Sequence, residues 1–556
     1  MRNRLPRTLA LAALLGPASC GPGSGPDGEL RTVTGEGGGA ASALPGPALD
    51  GTPWPGLGGS VSPDSFHAEL TRYARGLARS AYAPTAYRLP AALAALSYDE
   101  YRAIAYRPDA AVWRGAARFE IQLFHPGFLY PDPVRLHLIE DGAVTSLPFD
   151  PALFEYRGPA ADAERAAAEA TRASSPAPGY AGFRIHYPIN SEASKDEAAV
   201  FLGASYFRLL GPGQVHGLSS RGLAVDVAEP TGEEFPDFTA FWLVRPEAEA
   251  ESLTFFALLE GPSVTGAYRF RLEPAEQTVL DVEARLFGRE DVRKLGVAPL
   301  TSMYLYGPDR AAEFDDYRPQ VHDSDGLLMW TSRDEWIWRP LTNRRGVQVT
   351  SLRDAGPRGY GLVQRERAFG SYLDLEARYD RRPSEWVEIA GDWGTGGVEL
   401  VELPSPSEFN DNIVAYWLPE EPFLAGDERT YRYRLITFDE RIEGQELMPV
   451  ERSRSGLAGI PGGDPPADGA ARRFVIDFGR APVGDGVLPE EAEPVVFTSA
   501  GELSDVLVQP LPGGAGLRTT FVLAPVPGSP ADMMVHLEAD GERITERWSY
   551  LWVPPP

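Results

Sequence analysis

Hydrophobic positions recur with a period of two along most of the chain. Phe119, Ile121 and Leu123 alternate with Glu120 and Gln122, and Leu280, Val282, Ala284 and Leu286 alternate with Asp281, Glu283 and Arg285. Tyr431, Tyr433 and Leu435 alternate in the same way with Arg432 and Arg434. An extended strand sends successive side chains to opposite faces, so these runs predict strands with one buried and one wet face. Helical spacing is rarer. Ser62-Pro63 reads as an N-cap and first helical residue, followed by Phe66, Leu70, Tyr73, Ala74 and Leu77 one helical turn apart. Ser97-x-x-Glu100 is a capping box that opens a second helix, from Tyr98 to about Ala105. The Ala/Glu/Arg-rich stretch 160–173 predicts a surface helix. Period-two patterning broken by Gly and Pro turns predicts an all-β chain built as an antiparallel β-sandwich.

A boundary falls near residues 440–470. A strand-like stretch, 430–438, gives way to a polar segment and then to Gly459-Ile-Pro-Gly-Gly-Asp-Pro-Pro466. Short strand candidates follow at 473–478, 495–498, 519–523 and 548–552, and predict an immunoglobulin-like sandwich. The chain thus divides into a large domain, 62–442, and a linker with a smaller one, 443–556. Ahead of both, Arg2, Arg4 and Arg7 precede an apolar run at 9–15, which makes residues 1–20 an export signal too short to span a membrane. Two processing routes stand open. Cleavage after Ala18 would leave a soluble exported protein, whereas Pro17-Ala18-Ser19-Cys20 is an imperfect lipobox, with proline where leucine is usual. Cys20 is the chain's one cysteine, so no intramolecular disulfide can form. A Gly/Pro/Ser-rich tether, 21–61, follows it.

Composition narrows the partners. The 556 residues are 43% apolar and carry a formal charge of −27, which disfavours nucleic acid and anionic lipid surfaces. Membrane attachment is expected only through a lipid anchor at Cys20. A neutral ligand such as a glucan needs no opposing field. The seven histidines show no HExxH or other close-paired spacing, so neither a metal nor another cofactor is expected.

Candidate chemistry concentrates between residues 322 and 417, where acids and tryptophans alternate at short range. The stretch holds His322-Asp323-Ser324-Asp325-Gly326, Glu335-Trp336-Ile337-Trp338-Arg339-Pro340, Tyr379-Asp380-Arg381-Arg382-Pro383 and Asn410-Asp411-Asn412 before an apolar run. Indole faces stack on the C–H faces of a pyranose, and carboxylates bind its hydroxyls or work as acid and base on a glycosidic bond. Trp336, Trp338, Arg339, Trp386, Trp393, Trp417 and Arg365 form the expected sugar-binding set. Each feature also has a structural reading. Asn-Asp-Asn suits an Asx turn at the start of a strand. Paired tryptophans on one side of a strand are more often core, and Arg365 could simply pair with a neighbouring acid. Neither a phosphate loop nor a G-x-S-x-G elbow is present, so carboxylates are left as the reactive groups.

Several ordered segments then carry a family resemblance. Leu202-Gly-Ala-Ser-Tyr-Phe-Arg208, Gly217-Leu-Ser-Ser-Arg-Gly-Leu-Ala224, Leu295-Gly-Val-Ala-Pro-Leu-Thr-Ser-Met303, His322-Asp-Ser324, Glu335-Trp-Ile-Trp-Arg-Pro-Leu341, Arg382-Pro-Ser384 and Asp411-Asn-Ile-Val-Ala-Tyr-Trp417 closely resemble the glucans biosynthesis protein G/D family. These are the MdoG-type, or OpgG and OpgD, proteins of osmoregulated periplasmic glucans. The resemblance implies a galactose-mutarotase-like sandwich followed by an immunoglobulin-like one, and a periplasmic protein acting on linear β-1,2-glucan. It implies an anomer-inverting β-1,2-glucanase with Asp411 as general acid and Asp323 as a base acting through water and a substrate hydroxyl. Tyr379 lies in a matching motif beside that relay. His216 stands where the family leads one to expect tyrosine, and Ser405-Pro-Ser407 departs from its pattern. Two alternatives remain: an inverting transglycosylase forming cyclic or relinked glucan, and a non-catalytic scaffold for a membrane glucan synthase.

Overall fold

The computed structural model describes residues 61–84, 89–173, 179–439, 441–459, 471–481 and 491–554. The export signal, Cys20 and nearly all of the tether lie outside the described residues. Alternation decides the strands as expected. In Val279–Gly288 the side chains of Leu280, Val282, Ala284 and Leu286 are buried, while Asp281, Glu283 and Arg285 face outward. The outward charges pair across the ladder, where Glu283 lies opposite Arg432 and accepts from its Nε at 3.0 Å.

Two large sheets form the main body. One has ten strands: nine run from Glu120–Phe124 through Gly182–Ser191, Ser194–Leu202, Tyr206–Leu209, Ser219–Arg221, Leu295–Ser302, Ile413–Pro419 and Thr395–Glu402 to Gln348–Ala355, and Leu223–Val225 pairs beside Leu295–Ser302. The other has fifteen strands, and its central run packs face to face with the first. Phenylalanines fill the seam: Phe183 meets Phe241 at 4.9 Å between ring centroids, Phe201 meets Phe255 at 5.2 Å, and Phe207 meets Phe270 at 6.0 Å. Edge-to-face geometry of this kind adds to the area that the rings bury. The helix Pro63–Ala78, capped by Ser62, lays Phe66, Leu70 and Ala74 on the outer face of the fifteen-stranded sheet against Trp242 and Phe256. The second helix ends at Arg102, short of the expected Ala105, because Ile104–Tyr106 is extended and pairs with Phe154–Tyr156. The third, Ala161–Ala173, forms as expected.

The C-terminal region is also a sandwich. A four-stranded sheet, Val450–Leu457, Arg472–Phe478, Leu517–Ala524 and Glu502–Pro510, faces Glu493–Thr498, Ala531–Ala539 and Arg547–Trp552. Those last three strands are not a separate sheet. Arg547–Trp552 pairs in parallel with Trp336–Pro340, so the fifteen-stranded sheet runs unbroken from one sandwich into the other.

That junction has its own core, in which Trp336 packs on Trp330 at 4.7 Å and on Trp386 at 5.6 Å, next to Trp338 and Trp548. Trp386→Ala is expected to cost about 3–5 kcal/mol of stability by chemical denaturation, as deletion of a large buried aromatic does. A loss below about 1 kcal/mol would mean that the junction does not hold the fold together.

Candidate active site

Asp411 sits one residue inside a backbone clamp. The fully buried Asn412 accepts from the Tyr304 N–H at 2.8 Å, donates from Nδ2 to the carbonyls of Tyr304 and Leu403 at 3.0 Å each, and gives its own N–H to Ser302 O at 3.1 Å. The expected Asx turn does not form ahead of the strand Ile413–Pro419: the Asn412 N–H that it would use goes to Ser302, and Asn412 instead fixes the segment that carries Asp411. Asp323 hangs from the same place. Its N–H donates to Met303 O at 2.8 Å, between the two residues that hold Asn412, and the hydroxyls of Ser302 and Ser324 lie 2.9 Å apart. Two acids distant in sequence are thus hung on one tripeptide, Ser302-Met303-Tyr304.

Both acids line a cleft of about 1150 Å³. One wall comes from Gly182–Ser191, Ser194–Leu202 and Tyr206–Leu209, which supply Arg184, Glu197 and Arg208. The other comes from residues 374–382 and 408–411. Tyr379 belongs to this second wall, where its hydroxyl donates to Glu408 Oε2 at 2.9 Å. Arg318 holds the wall together by donating to Glu408 at 2.7 Å, Asp374 at 3.0 Å and Asp316 at 2.7 Å. Arg382 forms an ion pair with Asp323 and stacks over the Tyr379 ring, 4.2 Å from its centroid. Across the cleft, His216 Nε2 and Glu197 Oε1 are 2.5 Å apart.

Burial sets the proton affinities. Asp411 keeps a little accessible surface in the cleft but is otherwise enclosed by protein. Desolvation pushes its carboxyl up to about 7, with the neighbouring Asp323 adding to the rise and Arg208, Arg382 and Arg221 opposing it. Asp323 is also raised by burial, against the pull of Arg382. Burial holds the Tyr379 phenol far above its ordinary range, so it remains a hydrogen-bond donor. Glu197 is held below the usual carboxylate range: burial acts against this, but the hydrogen bond and charge of His216 outweigh it. Of the two acids, Asp411 is the one poised to hold a proton near neutral pH.

The structure brings Asp411, Asp323 and Tyr379 together and places the expected sugar-binding set elsewhere. Trp336, Trp338 and Trp386 are buried in the junction core, and Trp393 and Trp417 in the main sandwich core. An indole enclosed on both faces has none to offer a pyranose. Arg339 donates to Ser549 Oγ at 3.1 Å and Thr350 Oγ1 at 3.0 Å, and Arg365 is bound to Glu546. The cleft's own apolar surface includes Tyr98, Phe128, Leu129, Leu375 and Phe409. Sequence reasoning also passed over Arg208, Arg382 and Glu408. A signal existed for the first, a lone cation inside the apolar strand Tyr206–Leu209.

An all-β protein with a carboxylate-bearing cleft in its larger sandwich is the class that this geometry defines. Residues 66–552 match the family described as "Periplasmic glucan biosynthesis protein, MdoG", and the chain belongs to it. It is 43% identical to "Glucans biosynthesis protein G" of Vibrio cholerae serotype O1 over 486 residues, covering 87% of this chain and 86% of that one. The protein of the same name from Shewanella frigidimarina is 43% identical over 490 residues, 87% of this chain and 84% of the relative. "Glucans biosynthesis protein G 1" of Shewanella oneidensis is 42% identical over 487 residues, with 87% and 86% covered.

The raised Asp411 carboxyl has a consequence for stability. Its folded value, about 7, lies above the unfolded 3.8, so its contribution is fully present below the latter and is lost as pH rises through the former. Asp411→Asn, which mimics the protonated form, should therefore be more stable than wild type at pH 8 by on the order of 1–3 kcal/mol, after allowance for water in the cleft. The difference should shrink towards zero near pH 4, as read from denaturation midpoints across that range. A gap that stays constant with pH would mean that Asp411 titrates as an ordinary surface acid.

Proposed function

We propose that this protein is a periplasmic enzyme that cleaves linear β-1,2-glucan with inversion at the anomeric carbon. The observation that carries this reading is a partly buried Asp411, its carboxyl raised to about 7 by desolvation, sharing an open cleft with Asp323. Asp411 gives its proton to the glycosidic oxygen as the C1–O bond breaks, so the leaving sugar departs as a neutral alcohol. Water attacks C1 from the opposite face. Its proton passes through a substrate hydroxyl to Asp323, and solvent exchange returns the protons to their starting places. Inverting hydrolases keep their two carboxyls about 6.5–9.5 Å apart, or further with a relay, to leave room for that water. Arg382 keeps Asp323 anionic enough to accept a proton, and Tyr379 stacks beneath Arg382 at the edge of the same space.

Walls that mix aromatic and aliphatic faces with charged groups suit a neutral, hydroxyl-rich chain, and the names of the relatives put the family in glucan biosynthesis, where cleavage would trim or release product. Arg2, Arg4 and Arg7 with the following apolar run direct export, and Cys20 offers a lipid anchor. A transglycosylase would use the same Asp411 with a sugar hydroxyl in place of water. A scaffold that serves a membrane glucan synthase would bind the chain and leave it intact.

Products decide among these. The mature protein incubated with linear β-1,2-glucan should give linear reducing fragments of inverted configuration, by mass spectrometry and early-time proton NMR. Asp411→Asn should slow this by about 10²–10⁴-fold, and Asp323→Asn should be comparably slow while still binding the glucan. Ring masses would establish the transglycosylase, and an unchanged polymer would establish the scaffold. Near wild-type cleavage by Asp411→Asn would remove the proposed acid.

A further inference from the structure

The junction between the two sandwiches reaches the base side of the cleft through three consecutive residues, Gln364, Arg365 and Glu366. The fully buried Gln364 takes the His322 Nδ1–H on Oε1 at 2.9 Å, and its Nε2 donates to the carbonyls of His322 at 3.1 Å and Tyr379 at 3.3 Å. One amide therefore ties the residue before Asp323 to Tyr379. The main-chain N–H groups of Arg365 and Glu366 both donate to Asp325 Oδ2 at 2.9 Å, pinning the residue two beyond Asp323. Burial lowers the proton affinity of His322, so the ring is neutral and keeps this bonding pattern.

What holds that tripeptide is on the other domain. The Arg365 guanidinium lies 3.6 Å above the Trp338 ring and donates to Glu546 Oε1 at 2.7 Å and Oε2 at 2.8 Å. Glu546 is fully buried. Its carboxylate also accepts from Gln445 Nε2 and the Val450 N–H, at 2.8 Å each, and its own N–H donates to Met448 O at 3.0 Å. These bonds fix Glu546 at the start of Arg547–Trp552, the strand that joins the two sandwiches. A fully buried carboxylate clasped by a half-buried guanidinium is rigid because the carboxylate cannot be left unpaired in a poorly hydrated place.

We propose that Glu546 is a positioning residue for the reaction: through Arg365 it fixes residues 364–366, and through them the Asp323 segment and Tyr379. This rests on the reading of Asp323 as base. Without the Glu546 carboxylate, the half-buried Arg365 keeps the Val450 carbonyl and the Trp338 face but loses its counter-charge, and it swings toward water and draws the tripeptide with it. Asp323 and Tyr379 then lose their alignment, while Arg184 and Phe128 on the opposite wall are held by Gln122 and the Leu93 carbonyl instead. The C-terminal sandwich thereby has a catalytic purpose that does not require it to touch the glucan.

The test compares Glu546→Gln and Glu546→Asp in the mature full-length protein with Asp477→Asn. The control breaks an ion pair to Arg518 wholly within the C-terminal sandwich. Glu546→Gln should lower kcat by about 10²-fold, the cost of roughly 1 Å of misplacement, with KM little changed and part of the rate restored in Glu546→Asp. Hydrogen exchange should quicken in segments 320–326 and 364–384 but stay unchanged in Leu253–Glu260 of the main sheet. A kcat that falls only with the folded fraction, as expected for Asp477→Asn, would overturn the proposal, and so would a loss confined to KM. If the wild type cleaves no β-1,2-glucan, the functional reading fails on its own, and exchange still decides: unaltered protection at 320–326 in Glu546→Gln overturns the positioning role.

Discussion

A carboxylic acid that keeps its proton near neutrality has to be taken out of water without being handed a dominant cation. Most of the surroundings of Asp411 serve that constraint. Arg208, Arg382 and Arg221 act on it, yet each pulls less than desolvation pushes, and Asp323 adds a like charge to the rise. Arg382 is engaged with Asp323 and Arg221 with Glu233 at 2.7 Å, so these guanidiniums answer other carboxylates first. If either partner were removed, a cation would turn to Asp411 and make it an ordinary ionised acid. The division of charges, more than any single contact, gives the two acids different roles.

Such an arrangement needs rigid supports, and hydrogen bonds to main chain provide them. Asn412 has three of its hydrogen-bonding positions satisfied by backbone, and Gln364 likewise binds two carbonyls and the His322 ring. A buried amide satisfied in this way cannot change rotamer without leaving several polar groups unpaired, which is expensive in a dry interior. One amide fixes the Asp411 segment and the other the Asp323 segment. Both stand where the sheets end and strand pairing no longer constrains the chain.

Strand alternation, the Ser62 and Ser97 caps and the C-terminal strands were all legible, because each is written in a window of a few residues. The site was not. Asn410-Asp411-Asn412 reads as an Asx turn, whereas the Asn412 N–H is bonded to Ser302 of a distant strand; only the resemblance to glucans biosynthesis proteins marked Asp411 as an acid. The tryptophans misled for a physical reason. Indoles beside carboxylates suit a sugar site, but they equally suit a seam where two sandwiches share a sheet and a large ring must fill the gap under a polar rim. Trp338 beneath Arg365 is such a place. Arg382 and Glu408 could not be found locally, since each takes its meaning from a partner on another loop.

The shared sheet also changes what the smaller sandwich is for. A domain tethered only by a linker could tumble freely, and its contacts would carry no information to the cleft. Here the ladder from Arg547–Trp552 continues through Trp336–Pro340 into Gly326–Trp330, the strand that directly follows the Asp323 loop. The path from one domain to the Asp323 loop is therefore made of paired backbone, and a displacement at the seam has no flexible joint in which to dissipate. Arg339, bonded to Ser549 and Thr350, ties the seam to the ten-stranded sheet as well. Cleft geometry and domain packing are thus one mechanical problem, which explains why the tryptophans at the seam are packed among the polar pairs Arg365–Glu546 and Arg339–Ser549 rather than facing the cleft.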